Sequence, residues 1–87
     1  MAFEVRFLPE AEDDLFATYV YIAEAGGIAR ADSYDRRVRA ACLKLAHFPN
    51  RGSPHAALGP GLRSIPFERR ATIYYRVSGA TVEIKAK

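Results

Sequence analysis

The side chains that could do chemistry in this chain are arginines, tyrosines and two histidines, and their spacing argues against most familiar catalysts. His47 and His55 stand eight residues apart with no cysteine or carboxylate at ligand spacing, so neither suggests a metal site. No serine sits in a G-x-S-x-G elbow, and neither histidine has an evident nucleophile and orienting acid beside it. Glu12, Asp13 and Asp14 are adjacent acids, which read as complements to a helix dipole. Gly59-Pro60-Gly61 leads toward a strand, so it does not make a phosphate loop. The expectation is no cofactor and no metal.

One arrangement is site-like. Arg70, Tyr74 and Arg76 share parity on a strand and would line one ribbon of its surface. Arg63 and Arg69 lie nearby in sequence, although Arg63 shares parity with inward Ile65 and Phe67, which leaves its direction open. An arginine beside an aromatic ring can hold phosphate and stack on a base, or it can anchor a protein partner. It can equally be a solvated face laced by cross-strand pairs such as Arg76 with Glu83.

Stepping outward to the elements, Phe3, Val5 and Phe7 alternate with Glu4 and Arg6, as a half-buried strand does. Pro9 suits the first turn of a helix, and Gly26-Gly27 ends that helix near Ala25. At about 100° per residue, Ala11, Leu15, Tyr19 and Ile22 fall within one arc of roughly 80°. Phe16 and Val20 lie beyond this stripe. Either the helix is wedged between two neighbours, or these residues form an exposed shoulder for a partner. A second helix should run from Ile28 to Phe48, with Ala31, Tyr34, Val38, Ala41, Cys42, Leu45 and Phe48 inward and Arg36, Arg37 and Lys44 outward. His47 then falls in a last helical turn, at the surface. Residues 49–61 hold three prolines and three glycines and should lack regular structure. Three strands follow: Leu62 to Phe67, then one with Ala71, Ile73, Tyr75 and Val77 inward, then one with Val82 and Ile84 inward. Ser78-Gly79 should turn between the last two. The fold class is α+β in the order β-α-α-β-β-β, a small, mostly antiparallel sheet packed against an α-helical hairpin, with residues 1–87 as a single domain.

Composition bounds the rest. Eighty-seven residues bury a modest core. The lone Cys42 rules out an internal disulfide and points to a reducing cytoplasm. The expectation includes neither export signal nor membrane contact. Net charge is +3, yet residues 1–29 carry −5 and residues 30–87 carry +8, mostly as arginine, whose planar fork suits carboxylates and phosphates.

Taken together, these pieces resemble the RelE/ParE toxin superfamily, in its ParE-type branch. The resemblance is carried by Val5-Arg6-Phe7-Leu8-Pro9-Glu10-Ala11-Glu12-Asp13-Asp14-Leu15, by Ala31, Tyr34, Leu45, Pro49 and Gly52, by Gly61-Leu62-Arg63, by Tyr74-Tyr75-Arg76-Val77 and by Val82-Glu83-Ile84. It implies the toxin of a type II toxin–antitoxin pair of the plasmid-stabilization kind. A cognate ParD-like antitoxin would cover Leu15, Phe16, Tyr19 and Val20, and DNA gyrase would be the target of Arg63, Arg70, Tyr74 and Arg76. Operator DNA would be met only through the antitoxin. Two departures stand out. Leu8 replaces the family's usual serine cap. The family normally continues after the last strand with a basic His- and Arg-containing tail, which in the nuclease branch supplies an arginine and a tyrosine, where this chain has Lys85-Ala86-Lys87. The nucleases also carry an arginine late in the second strand, where this chain has Phe67. No nuclease catalytic residue carries over, so the expectation leans away from an enzyme. The alternative is a RelE-type, ribosome-dependent mRNA endoribonuclease using Arg70, Tyr74 and Arg76.

Overall fold

The first strand, β1 (Glu4–Phe7), presents Val5 and Phe7 to the core and Glu4 and Arg6 to solvent, as its alternation predicts. The computed structural model describes residues 2–69 and 71–86. Helix α1 (Pro9–Gly26) opens on proline with Glu10 and Glu12 in its first turn, and Leu8 offers no side-chain cap. Gly27 both ends α1 and begins α2 (Ile28–Leu43): its N–H donates to Ala23 C=O at 2.9 Å, and its own C=O accepts from Ala31 N–H at 3.2 Å. This double duty needs a φ of +96°, which glycine adopts without a Cβ penalty.

Helix α2 stops earlier than its apolar spacing suggests, passing into a 3₁₀ turn at Lys44–Ala46. Ala31, Val38, Cys42 and Leu45 are buried as expected, but Phe48 is 67% exposed. The tighter 3₁₀ winding shifts the phase, so extrapolating 100° per residue past Leu43 points the wrong way. Burial pushes the Cys42 thiol up to about 12, which makes it inert packing.

Four further strands complete the sheet: β2 (Ser53–Pro54), β3 (Leu62–Phe67), β4 (Ala71–Ser78) and β5 (Thr81–Ala86), ordered β1-β5-β4-β3-β2. β1 runs parallel to β5, and the other pairs are antiparallel. β2 corrects the expectation of an irregular 49–61 loop. Ser53 and Pro54 pair with Ser64 and Arg63, because an edge strand needs only one row of backbone bonds and so tolerates proline. The last hairpin turns at Gly79-Ala80, one residue later than expected, since Ser78 pairs with Thr81. Gly79, with φ +60°, occupies the first loop position, where a tight two-residue turn favours glycine. The β3–β4 turn holds Glu68 and Arg69 at φ +48° and +69°. That strained backbone is tied down where Arg37 of α2 donates to both Glu68 carboxylate oxygens, at 2.6 and 3.1 Å.

The core lies between the helical hairpin and one sheet face. Leu15, Val38, Cys42 and Leu45 meet Ile73, Tyr75, Val82 and Ile84, each large aliphatic contributing about 1.5–3 kcal/mol by burial. Tyr75 is wholly buried. Its hydroxyl donates to the Pro49 carbonyl at 3.0 Å and also meets the Arg51 carbonyl. Arg63 lies opposite Tyr75 in the β3–β4 register. Its guanidinium donates to the carbonyls of Asn50 (2.6 Å), Arg51 (3.4 Å) and Gly52 (3.5 Å). Together these two side chains clasp residues 49–52 against the sheet.

The two helices are joined by polar bonds as well. Arg39 of α2, steadied by Asp35 of the same helix at 2.9 Å, donates to Glu12 of α1 at 2.8 Å, and the Tyr19 hydroxyl of α1 donates to Asp32 of α2 at 2.6 Å. Glu12 is therefore more than a dipole complement.

Two predictions follow from this packing. A Cβ on Gly52 (φ +88°) would come within 2.3 Å of the Ser64 carbonyl oxygen, whereas one on Gly79 meets nothing within 4 Å. Gly52→Ala should lower unfolding stability by at least ~2 kcal/mol and Gly79→Ala by about 1 kcal/mol, read from denaturant midpoints at unchanged slope. Second, the hydrogen bond from Arg39 holds the Glu12 carboxyl below its ordinary 4.5. A lowered folded pKa stabilises above the unfolded value, and that stabilisation is lost as pH falls through the folded one. Glu12 is half exposed, so Glu12→Gln should cost only ~0.5 kcal/mol at neutral pH. The gap between the two proteins should close as pH drops below 4.5.

Candidate functional site

Two surfaces hold the residues singled out in sequence. The first is the flank of α1. One face of an amphipathic helix meets the sheet, and residues about 100° away from it must find another neighbour or face water. Phe16 stays largely in water at 69% exposure and Val20 partly so at 37%. Being four apart, they stack on one flank of the helix and form a contiguous apolar shoulder. This decides between the two readings of α1 in favour of exposure. Leu15, at 4% exposure, lies in the core as its place in the stripe predicts, and it reaches the cleft beside the shoulder only as part of its floor. That cleft, about 300 Å³, runs between α1 and α2 and is walled by Glu12, Phe16, Tyr19, Asp35 and Arg39. Its charges are mutually paired. Tyr19 is half-buried, and the Asp32 carboxylate that accepts its hydroxyl raises the phenol above its usual range.

Sequence reasoning missed the opposite flank. Tyr21 is 72% exposed and borders a wider cleft, about 480 Å³, with Ala17, Ile22, Tyr34 and Phe67 along its walls. The signal was an aromatic five residues beyond Phe16, which a wheel places on the far side of the core stripe.

The second surface is the sheet face that no helix covers among the described residues. Tyr74 and Arg76 share it, and Arg76 donates to Glu83 at 3.0 Å across the β4–β5 pair. Arg63 does not join them, since it stands on the helix side, committed to the 49–52 carbonyls. Arg70 lies outside the described residues. His55, which had no assigned role, does belong here. Its Nε2 lies 2.7 Å from Ser64 Oγ, and its ring centre is 5.9 Å from that of Tyr74. No spacing rule could have found this trio, because β2 brings His55 alongside β3 only once the loop is clasped.

Among the described residues, no group of three His, Cys, Asp or Glu side chains converges as a metal site, and no helix is long and apolar enough to cross a membrane. The first surface can therefore offer desolvation of apolar area, and the second can offer stacking, cationic contact and a proton-accepting imidazole.

Comparison with known proteins adds the following. A solved chain described as the chromosomal ParDE TA system from P. aeruginosa shares the fold with a TM-score of 0.81 at 23% identity, over 95% of this chain and 90% of that one. No curated protein matches. The family model of the ParE toxin of the type II toxin–antitoxin system parDE matches residues 5–86, nearly the whole chain and every element of the fold. The chain belongs to the ParE toxin family of type II toxin–antitoxin systems.

Proposed function

We propose that this toxin is held silent by a ParD-like antitoxin whose amphipathic segment covers the α1 shoulder, and that the freed chain inhibits DNA gyrase without being an enzyme. The observation that carries the first half is the uncovered pair Phe16 and Val20. An exposed phenylalanine beside a cleft suits a partner's apolar anchor. Tyr19 supports the same contact from the wall of the cleft, and Leu15 only from beneath. For the second half, the helix-free face supplies Tyr74 and Arg76, residue types that bind macromolecular targets, on the side of the sheet away from the shoulder. The two functions can thus reside on separate surfaces. Operator DNA is met through the antitoxin.

One observation favours the alternative, ribosome-dependent mRNA cleavage: His55 stands beside Tyr74, and an imidazole can move the proton that such a reaction requires.

Two measurements test this. Phe16→Asp should weaken antitoxin binding by at least ~30-fold, the loss of one interface hot spot. Because Phe16 is exposed, the same change should leave the unfolding midpoint nearly unmoved. In a supercoiling assay the wild-type chain should slow gyrase, and Tyr74→Ala should relieve that inhibition by roughly tenfold, a loss of about 1.4 kcal/mol. No inhibition by folded chain at micromolar excess, together with cleavage of ribosome-bound mRNA that is lost in His55→Ala, would replace the gyrase reading with the nuclease one.

A further inference from the structure

The charges of α2 are sorted by side. Asp32 accepts from Tyr19 and Asp35 from Arg39, so both acids are committed on the flank that meets α1. Arg37 is committed to Glu68 of the β3–β4 turn. Arg36, Lys44 and Arg51 are exposed, and among the described residues no carboxylate pairs with any of them. Single unpaired cations are ordinary on a surface. These three are grouped. At about 100° per residue, Arg36, Ala40 and Lys44 fall within roughly 80° of one another, on the side of α2 away from buried Val38 and Cys42. Beyond the helix, Lys44 and Arg51 converge on one cleft of about 360 Å³, which Ala41, Ile65 and Pro66 also line. Tyr75 and Arg63 clasp residues 49–52, so Arg51 projects from fixed backbone.

The spacing of this row selects its partner. Arg36 and Lys44 are eight residues apart, which is about 12 Å along a helix axis. The major groove of B-form DNA is also about 12 Å wide, so the two cations can reach phosphates on its opposite walls. A-form RNA closes that groove into a deep, narrow slot. Between the two cations on the arc stands Ala40, whose methyl lets the helix approach closely. No exposed side chain of α2 is an aromatic ring or an amide, so the helix offers neither a stacking platform nor an adenine reader. The contact is with phosphates, which position a protein on a duplex without reading its sequence. Glu10, Asp13 and Glu24 stand exposed on α1; they repel a polyanion and confine it to α2.

We propose that the outer face of α2 docks duplex DNA directly, with Arg36 and Lys44 on phosphates of the two strands across the major groove and Arg51 on a phosphate beyond Lys44. This contact is independent of sequence and so distinct from operator recognition by an antitoxin. It uses neither the α1 shoulder nor the helix-free sheet face, and it stands or falls without the antitoxin and gyrase readings. In a chain that inhibits gyrase, it adds a grip on the duplex that gyrase supercoils.

The test is fluorescence anisotropy of a labelled duplex of arbitrary sequence, titrated with the full chain at several salt concentrations. Three phosphate contacts predict a slope of log affinity against log salt of roughly −3. Arg36→Ala, Lys44→Ala and Arg51→Ala should each flatten that slope by about 1 and weaken binding several-fold. Melting should be unchanged, because all three residues are exposed. Arg6→Ala, on the sheet face away from α2, should change neither slope nor affinity. Duplex RNA should bind at least ~5-fold more weakly. Absence of salt-dependent binding, or a slope that the three substitutions leave alone, overturns the proposal. Equal binding of duplex RNA overturns the groove fit and the choice of DNA with it. Tighter binding of single-stranded DNA that is lost in Phe48→Ala would mean stacking on that exposed ring, and displacement by polyglutamate at equal charge would mean an acidic protein partner. Either result also overturns the proposal. If a variant unfolds, the salt slope of the unaltered chain and its preference for duplex DNA decide.

Discussion

A phenol buried at the centre of a sheet must find acceptors for its hydroxyl, and much of this molecule is arranged around where Tyr75 finds them. Its ring fills the core between β4 and the helices, while its oxygen meets the carbonyls of Pro49 and Arg51. Desolvation raises its pKa above the ordinary tyrosine range, so the hydroxyl stays a donor. Arg63 holds the neighbouring carbonyls. With residues 49–52 fixed, Gly52 passes close against β3, Ser53 and Pro54 pair with it, and His55 is delivered to Ser64 and Tyr74. One satisfied buried hydroxyl on the helix side thus sets the arrangement on the opposite face.

The other governing feature is the mismatch between helices and sheet. The sheet can cover one face of the hairpin, and α1 carries apolar residues on more than one. Leu15 takes the covered face, whereas Phe16, Val20 and Tyr21 are left facing water. A domain this small has little core to spare, so leaving such area exposed is intelligible when a partner supplies the missing layer. Beside that exposed area the Arg39–Glu12 ion pair links the two helices, and the Arg39–Asp35 pair within α2 steadies the arginine, each contributing little stability of its own. The sheet's two edges differ too: β2 pairs along one, and along the other the Phe3 N–H is taken by the Ala46 carbonyl while no backbone partner for Val5 or Phe7 outside β5 is found among the described residues.

Much of this was legible in the residues. The period-two rows of β1, β4 and β5, the glycine stop at Gly27, the inward Cys42 and the Arg76–Glu83 pair all follow from local rules, and all stand in the structure. Each depends on repeat distances within one element or across one hairpin. Two departures have their own local causes. Phe48 is exposed because helical phase does not carry across a 3₁₀ turn, and β2 forms because proline is tolerated at a sheet edge although not inside a sheet.

By itself the sequence determined the order of every element but β2 and the 3₁₀ turn, the sheet-facing rows and the family, because periodicity and turn chemistry are written in nearest neighbours. Only the tertiary structure decided which of the apolar residues on α1 stay in water, which way Arg63 turns, that His55 joins Tyr74, and which edge of the sheet is left open. Those outcomes depend on distant segments meeting: a carbonyl at residue 50 for an arginine at 63, a carbonyl at 46 for an amide at 3. No local spacing encodes such meetings, since they arise from the requirement that buried polar groups be paired once the chain has closed on itself.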